Sequence, residues 1–291
     1  MIDSGTLFVV ATPIGNLSDI SARALETLKN VDLIAAEDTR RTLQLLNHFE
    51  IKTPVVSYHQ HNENGRSSEL LSKIMNDGIS VSVVTDAGTP CVSDPGCIIV
   101  AEARKNGLKV VAVPGASAVI SALSVCGFVF NSFAFLGFFP RVKKEKEMFI
   151  DGIKTSEIDA LVIYESPNRI IKALMEISKE IPNCDIFVIN DITKFHEKSY
   201  FGGISEVIAQ LEANENASLG EYTVVLQKKK NSDCSQVSEA ELLTTEALLV
   251  DEIIKNGCSL KEAVDIVSNG NRSISKNQAY KASLNLKKVF E

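Results

Sequence analysis

The chain of 291 residues lacks two sequence patterns that often mark nucleotide-binding proteins. No GxGxxG follows its first apolar segment, and no GxxxxGK[ST] occurs anywhere. The first pattern holds the pyrophosphate of dinucleotide cofactors, and the second cradles the phosphates of nucleoside triphosphates. Neither the usual dinucleotide-binding fold nor a P-loop is therefore supported. We expect a nucleoside-like ligand that is held by backbone groups and one or two carboxylates.

Metal-binding and disulfide patterns are also scarce. The six cysteines are scattered without a CxxC pair, and His59 and His61 form the one HxH pair. A structural zinc site needs four ligands at close spacing, so we predict no metal site. The N-terminus carries no signal-peptide pattern, and we expect reduced thiols and a cytoplasmic location.

One uncharged run, from Val110 to Pro140, exceeds the roughly 20 residues that span a bilayer. Pro114 and Gly115, together with Gly127, interrupt this run. Buried parallel strands are also continuous apolar runs. We therefore predict a strand, a short buried helix and another strand, and no membrane segment.

Short β-rich runs alternate with helical patterns along most of the chain, which predicts an α/β fold built from βαβ units. We expect an N-terminal α/β domain over residues 1–125, with Ser18 capping its first helix. We expect a second α/β domain over residues 126–230. A polar linker and a small helical tail of three or four helices follow over residues 231–291.

Glycine and proline concentrate at the ends of three predicted strands of the first domain. The segments are "ATPIGN" at 11–16, "TDAGTPCVSDPG" at 85–96 and "VPGASA" at 113–118. Parallel α/β sheets bind ligands beyond the carboxyl ends of their strands. We therefore predict that these bends converge on one ligand-binding cleft.

Five segments together resemble the tetrapyrrole-methylase-like family of S-adenosylmethionine (AdoMet) enzymes. They are "TPIGNLSDIS", "DLIAAEDTRRT", "TDAGTPCVSDPG", "VPGASAVISAL" and "YESPNR". Within the family, the resemblance is to the branch that methylates the ribose 2'-oxygen of a cytidine in 16S rRNA. It implies two α/β domains with AdoMet in the cleft between them, a homodimer, and 16S rRNA or the 30S subunit as partner. By motif, the resemblance implies these cofactor-binding residues: Pro13, Asp86, Ala87, Gly88, Ser117, Ala118, Gly137, Phe138 and Glu165.

The chain departs from the family pattern at two positions. An arginine is usual where Asn190 stands, and a lysine is usual where Leu219 precedes Gly220. Both changes remove a cation from a region where RNA phosphates would bind.

The reaction needs a base or a nearby cation, because a ribose hydroxyl is a poor nucleophile. The sequence does not single out one such residue. The candidates are Glu37, Asp38, Glu165, Asp191 and Lys194.

The formal net charge is -7, so any surface that binds RNA must be local. Between Val267 and Phe290 the chain has five basic residues and no acidic one. A second basic cluster, diluted by two glutamates, follows the strand at "FLGFFP". Either cluster could instead be an ordinary solvated helix face. The predicted RNA-binding residues are Arg141, Lys143, Lys144, Arg272, Lys276 and Lys281.

Two other functions remain open at this point. One is a methylase of the same fold that acts on a tetrapyrrole or another small molecule, which would have no need of the basic tail. The other is a catalytically weak RNA-binding factor in ribosome assembly, which Asn190 and Leu219 would suit.

Overall fold

The computed structural model describes residues 4–228, 244–270 and 275–290, with the backbone alone at 269–270 and 287–290. The chain forms two compact units, Met1–Lys228 and Lys229–Glu291. The first unit contains two sheets of five strands each. The predicted boundary at residues 125 and 126 lies inside this first unit and stays a prediction.

The first sheet is parallel throughout and has the order β3-β2-β4-β1-β5. Its central strands are almost fully buried and, apart from Thr6 and Ser82, apolar on both faces, as is usual for strands covered by helices on both sides. The strands are β1 Thr6–Val10, β2 Leu33–Ala36, β3 Val55–Ser57, β4 Val81–Val84 and β5 Lys109–Val113. The helices that follow them are α1 Ala22–Asn30, α2 Thr39–His48, α3 Glu63–Asp77, α4 Cys97–Lys105 and α5 Ala118–Val125.

The predicted cap of the first helix was wrong. Ser21, not Ser18, is the N-cap of α1, and its hydroxyl accepts a hydrogen bond from the N–H of Ala24. Ser18 lies in a short 3-10 helix, Leu17–Asp19, that Asn16 caps. This extra turn lengthens the loop after β1 and brings Leu17 to the mouth of the site described below.

The second sheet is mixed and has the order β6-β7-β10-β8-β9. The sequence did not indicate β9, because it is an edge strand with two glycines and mostly exposed side chains. The strands are β6 Phe133–Phe138, β7 Ala160–Glu165, β8 Cys184–Asn190, β9 Lys198–Gly203 and β10 Tyr222–Lys228. The helices are α6 Lys143–Thr155, α7 Ile170–Glu180 and α8 Ile204–Glu212.

Helix α5 joins the two halves of the first unit. Its residues Val119, Ala122 and Leu123 pack against Val162 and Val225 of the second sheet. The opposite face of that sheet carries the largest core, which α6, α7 and α8 cover. The uncharged run from Val110 to Pro140 is thus β5, α5 and β6, as predicted.

The second unit is a small group of three helices within the described residues. They are α9 Thr245–Asn256, α10 Leu260–Gly270 and α11 Lys276–Phe290. Leu249, Val264 and Ala279 contribute one buried side chain from each helix to their common core. In the described ranges, no helix combines the length and the apolar content that crossing a membrane requires.

Candidate active site

Three loops meet at the carboxyl ends of β1, β4 and β5. The N–H of Thr12 donates to the carbonyl of Gly88 (2.9 Å), and the N–H of Gly88 donates back to Thr12 (3.1 Å). Gly88 has a φ of +84°, and a Cβ at this position would lie 3.4 Å from Ile14 Cγ2. The hydroxyl of Thr89 then donates to the carbonyl of Ala116 in the third loop (3.4 Å). The Gly/Pro bends therefore converge, as the sequence predicted.

These loops and the second sheet enclose a first cavity of about 420 Å³. That volume lies within the roughly 300–1,000 Å³ of typical small-molecule sites. Seven of the nine predicted cofactor-binding residues line it: Asp86, Ala87, Gly88, Ser117, Ala118, Phe138 and Glu165. Other lining residues include Ile14, Glu37, Arg41, Asp94, Tyr164 and Glu221.

Gly137 does not line the cavity. It has a φ of +74° and lies where the register between β6 and β7 shifts. A Cβ here would sit 3.7 Å from the hydroxyl of Ser93, a residue of the cavity wall. Gly137 therefore shapes the bulge that precedes Phe138.

The wall formed by β2 and β4 is acidic. The N–H of Asp86 donates to Glu37 (3.3 Å), while Asp86 accepts the N–H of Asp38 (3.1 Å) and pairs with Arg41 (3.3 Å). Burial, with Asp86 adding repulsion, raises the pKa of Glu37. Burial and the charges of Glu37 and Asp86 raise the pKa of Asp94 to about 7. Carboxyl groups crowded in this way favour a cationic ligand.

Glu165 lies at the end of β7 with its side chain fully buried. One carboxylate oxygen accepts the N–H of Ser166 (2.6 Å), and the other lies 3.0 Å from Nη2 of Arg169. That nitrogen donates instead to the carbonyls of Phe139 (2.7 Å) and Pro140 (2.9 Å). The second carboxylate oxygen thus has a charge partner but no hydrogen-bond donor.

A second cavity of about 340 Å³ adjoins the first. Pro13, the other predicted cofactor-binding residue, lines this one. Its remaining lining includes Thr12, Gly15, Leu17, Thr42, Gln44, Leu45, Thr85 and Lys194. Five residues line both cavities and form their shared wall: Ile14, Arg41, Asp86, Ala87 and Glu221.

Lys194 is fixed at the edge of the second cavity. Its Nζ donates to Asp191 (2.6 Å) and to Glu221 (2.9 Å). Partial burial opposes its charge, but these hydrogen bonds outweigh that effect and raise the pKa of Lys194. The stem of Lys194 packs over Gly15, where a Cβ would collide with Cγ. Lys194 is therefore a positioned cation and not a proton acceptor at neutral pH.

Asp38, another candidate, lines neither cavity. It caps α2 and binds the guanidinium of Arg40 at 2.8 Å. The hydrogen bond from Arg40 lowers the pKa of Asp38 to about 2. A carboxylate this acidic is a poor general base.

The two departures from the family pattern are neighbours in space. The side-chain amide of Asn190 donates to the carbonyl of Leu219 (2.9 Å). Leu219 is largely exposed, whereas Asn190 is buried. The residues that replace the expected cations therefore contact each other beside Asp191 and Glu221.

Two loops beside the cavities carry unusual backbone conformations. In the described part of the chain, five non-glycine residues have a positive φ, and four of them belong to these loops. They are Cys91, Ser93, Asp191 and Thr193. Residues in sparsely populated backbone regions cluster at functional sites.

The predicted RNA-binding residues of the first unit line neither cavity. Arg141, Lys143 and Lys144 are exposed at the start of α6. In the second unit, Lys281 is exposed and Lys276 pairs with Asp265 (2.7 Å). Arg272 lies outside the described residues.

Sequence reasoning missed several lining residues. Asp94 lies near the end of the quoted segment 85–96, and Arg41 lies within the quoted "DLIAAEDTRRT", but neither was selected. Tyr164, which packs on Phe135 and Phe138, begins the quoted "YESPNR" and was also not selected. Glu221 carried no local signal, because its place depends on the pairing of β10 with β7 and β8.

Comparison with known proteins assigns the chain to a family. A model of the Tetrapyrrole (Corrin/Porphyrin) Methylases matches residues 6–208. The Ribosomal RNA small subunit methyltransferase I of Thermotoga maritima is 42% identical over 226 residues, which are 78% of this chain and 100% of that protein. The Bacillus subtilis protein of the same name is 37% identical over 280 residues, 96% of this chain and 94% of its own length.

A solved structure with the same fold is the uroporphyrin-III C-methyl transferase from Thermus thermophilus complexed with S-adenyl homocysteine. It has a TM-score of 0.54 and 15% identity, and the match covers 76% of this chain and 96% of that one. This likeness shows the fold. The chain thus belongs to the tetrapyrrole (corrin/porphyrin) methylase family, among the relatives named Ribosomal RNA small subunit methyltransferase I.

Proposed function

We propose that this protein is an AdoMet-dependent methyltransferase of small-subunit ribosomal RNA that modifies the ribose 2'-hydroxyl of a cytidine in 16S rRNA. The observation that carries the proposal is the first cavity, which the ends of β1, β4 and β5 enclose together with the second sheet. Relatives at 36–42% identity with the name Ribosomal RNA small subunit methyltransferase I support rRNA as the substrate.

The lining of the first cavity fits AdoMet. Within the described lining, five carboxyl groups face one guanidinium, that of Arg41: Glu37, Asp86, Asp94, Glu165 and Glu221. AdoMet carries a sulfonium and an ammonium cation, and such a wall attracts both. The carboxylate oxygen of Glu165 that pairs with Arg169 but has no hydrogen-bond donor can accept a hydrogen bond from the ligand.

When bound, AdoMet supplies an electrophilic methyl group on a positively charged sulfur. The residues of the first cavity would hold AdoMet, and the 2'-hydroxyl that accepts its methyl group would have to lose a proton. In the described shared wall, the carboxylates that can accept this proton are Asp86 and Glu221. The ammonium of Lys194 stabilises negative charge on the oxygen.

Alignment is the other contribution of the chain. Holding the acceptor oxygen in line with the methyl carbon and sulfur can supply roughly 7–11 kcal/mol of rate enhancement. The reciprocal hydrogen bonds between Thr12 and Gly88 hold two of the loops together for this task. Methyl transfer also removes the sulfonium charge, so the acidic wall holds the product less tightly than AdoMet.

RNA binding is assigned to the exposed cations. Arg141, Lys143 and Lys144 stand at the N-terminus of α6, where the helix dipole also favours anions. Lys276, Lys281 and Arg272 of the tail form a second proposed set of phosphate contacts.

We also propose that the protein is a cytoplasmic homodimer. Strand β6 is an edge of its sheet and exposes Phe133, Leu136 and Phe138. An exposed apolar edge of this kind suits contact with a second copy. Cytoplasmic location follows from a ribosomal substrate.

Radiolabelled methyl transfer to purified 30S subunits and to free 16S rRNA tests the function. We expect label in the 30S subunit, in a linkage that resists alkali as a 2'-O-methyl group does. Asp86→Ala serves as the matched inactive variant, and we expect it to lose AdoMet affinity by roughly ten- to a hundredfold with its fold intact. Asp77→Ala, at an exposed aspartate on α3, should match the wild type.

The outcomes separate the alternatives. AdoMet binding without transfer to either RNA would favour the assembly-factor hypothesis. Transfer to a tetrapyrrole but not to RNA would favour the small-molecule methylase. Unchanged AdoMet affinity in Asp86→Ala by calorimetry would contradict the assignment of the first cavity.

A further inference from the structure

We propose that the second cavity receives the nucleoside that is methylated, with Gln44 binding the edge of its base and Lys194 the oxygens of its ribose or phosphate. The inference rests on the proposed function and adds the acceptor site to it. The two cavities would then hold the two reactants next to each other, along the residues that line both.

Size and position support this assignment. AdoMet consists of a nucleoside joined to methionine, and the cavity assigned to it measures about 420 Å³. The second cavity, at about 340 Å³, has room for a nucleoside alone. Because the cavities share Ile14, Asp86 and Ala87, ligands in both would meet at these residues. Methyl transfer requires such direct contact between donor and acceptor.

The apolar part of the lining suits the flat faces of a base. Pro13, Ile14, Leu17 and Leu45 line the second cavity from two different elements. Bases that are splayed out of an RNA strand are held by stacking and by hydrogen bonds to their edges. Apolar side chains on two sides of a cavity provide the first of these interactions.

The polar part of the lining suits a base edge. Gln44 is exposed on α2, one turn after Arg41, and its amide offers both a donor pair and an acceptor. Thr85 is 2% exposed, and its hydroxyl has no hydrogen-bond partner. A buried hydroxyl without a partner is costly, and a ligand in this cavity can supply the partner.

The cations at this cavity suit the sugar and phosphate. The ammonium of Lys194 has three hydrogens, of which Asp191 and Glu221 accept two. The third remains for an oxygen of the substrate. Arg41 extends its side chain, 66% exposed, from the shared wall and can reach a flanking phosphate.

A pair of tryptophan variants on α2 tests the proposal. Gln44→Trp fills the second cavity from an exposed position and leaves the lining of the first unchanged. Leu43→Trp is the matched control, because Leu43 is 45% exposed on the same helix and lines neither cavity. Each variant is assayed for AdoMet affinity by calorimetry and for methyl transfer to 30S subunits at saturating AdoMet.

For Gln44→Trp we expect unchanged AdoMet affinity and a loss of transfer of roughly a hundredfold, as misplacement of a reacting group by about 1 Å causes. Leu43→Trp should retain both properties. Wild-type transfer by Gln44→Trp would overturn the proposal. A parallel loss of AdoMet affinity would also overturn it, since the second cavity would then belong to the cofactor site.

A readout without catalysis separates this inference from the proposed function. The natural chain has no tryptophan, so Leu17→Trp introduces a single indole at the mouth of the second cavity. With S-adenosylhomocysteine bound, cytidine 5'-monophosphate should quench this fluorescence by stacking, and Leu43→Trp should not respond. An unresponsive Leu17→Trp would count against the acceptor site. If cytidine 5'-monophosphate quenched the fluorescence but the protein methylated no RNA, the proposed function would be wrong and the nucleoside site would still be supported.

Discussion

The environment of one side chain, Asp94, differs sharply from that of an aspartate in water. Partial burial, and after it the charges of two neighbouring carboxylates, raise the pKa of Asp94 to about 7. In the unfolded chain the pKa is about 3.9. Between these values the folded protein holds a proton that the unfolded chain has lost. Stability from this group is therefore complete below about pH 4 and is lost as the pH rises through 7.

Asp94→Asn should remove this pH dependence. We expect the free energy of unfolding of the wild type, measured with urea, to fall between pH 5 and 7 relative to the variant. The slope can reach at most ~1.4 kcal/mol per pH unit for one proton. AdoMet should flatten it, because a bound cation favours the ionised carboxylate. Parallel wild-type and variant profiles would show that Asp94 titrates normally.

At the scale of elements, the N-terminus of α6 carries residues that destabilise the helix. Lys143 and Lys144 occupy its first turn, Val142 offers no side-chain cap, and Glu145 is the acidic residue of that turn, while Lys143 lies 4.0 Å from Glu147 one turn later. Cations near a helix N-terminus cost ~0.3–1 kcal/mol each through the helix dipole. RNA phosphates bound at this end of α6 would explain why the two lysines occur there despite their cost in stability.

Lys144→Gln should therefore raise stability while it weakens RNA binding. We expect a gain of ~0.3–1 kcal/mol in urea unfolding. The slope of log affinity against log salt for a 16S rRNA fragment should become smaller by roughly 0.7, the value of one phosphate contact on a single strand. Lys179→Gln, in the last turn of α7, is the control and should lose stability without changing RNA affinity. Equal salt slopes for wild type and Lys144→Gln would remove α6 from the RNA surface.

At the scale of the whole molecule, the chain separates into a unit that contains both cavities and a small helical unit. All residues assigned to AdoMet and to the acceptor nucleoside lie in Met1–Lys228. Removal of the tail therefore deletes none of the residues assigned to AdoMet or to the acceptor nucleoside.

Removal of residues 232–291 should leave AdoMet affinity unchanged, weaken RNA binding and flatten its salt dependence. The reason is the loss of the tail cations and the counterions that they displace. Within the full chain, Lys281→Gln should cost more affinity than Lys276→Gln, because Asp265 already pairs with Lys276. Filter binding at several salt concentrations measures both effects. Full RNA affinity in the shortened protein would refute the role of the tail.

The order of strands and helices could be predicted largely from local patterns. Apolar runs such as those of β1 and β4 are recognisable because burial on both faces leaves few polar positions, here Thr6 and Ser82. The edge strand β9 was missed for the opposite reason, since half of its side chains face solvent. Ser21, not Ser18, caps α1 because the 3-10 helix Leu17–Asp19, which the sequence did not indicate, includes Ser18 and precedes α1.

The sequence by itself determined the fold class, the family and the Gly/Pro bends at 11–16, 85–96 and 113–118, because each depends on residues that are close along the chain. Only the tertiary structure decided that two cavities share one wall and that Lys194 reaches Glu221. The tertiary structure alone also decided that Asp94 lies among carboxylates and that the carboxylate of Asp38 binds the guanidinium of Arg40. These facts depend on side chains from distant strands, whose distances and charges no local pattern contains.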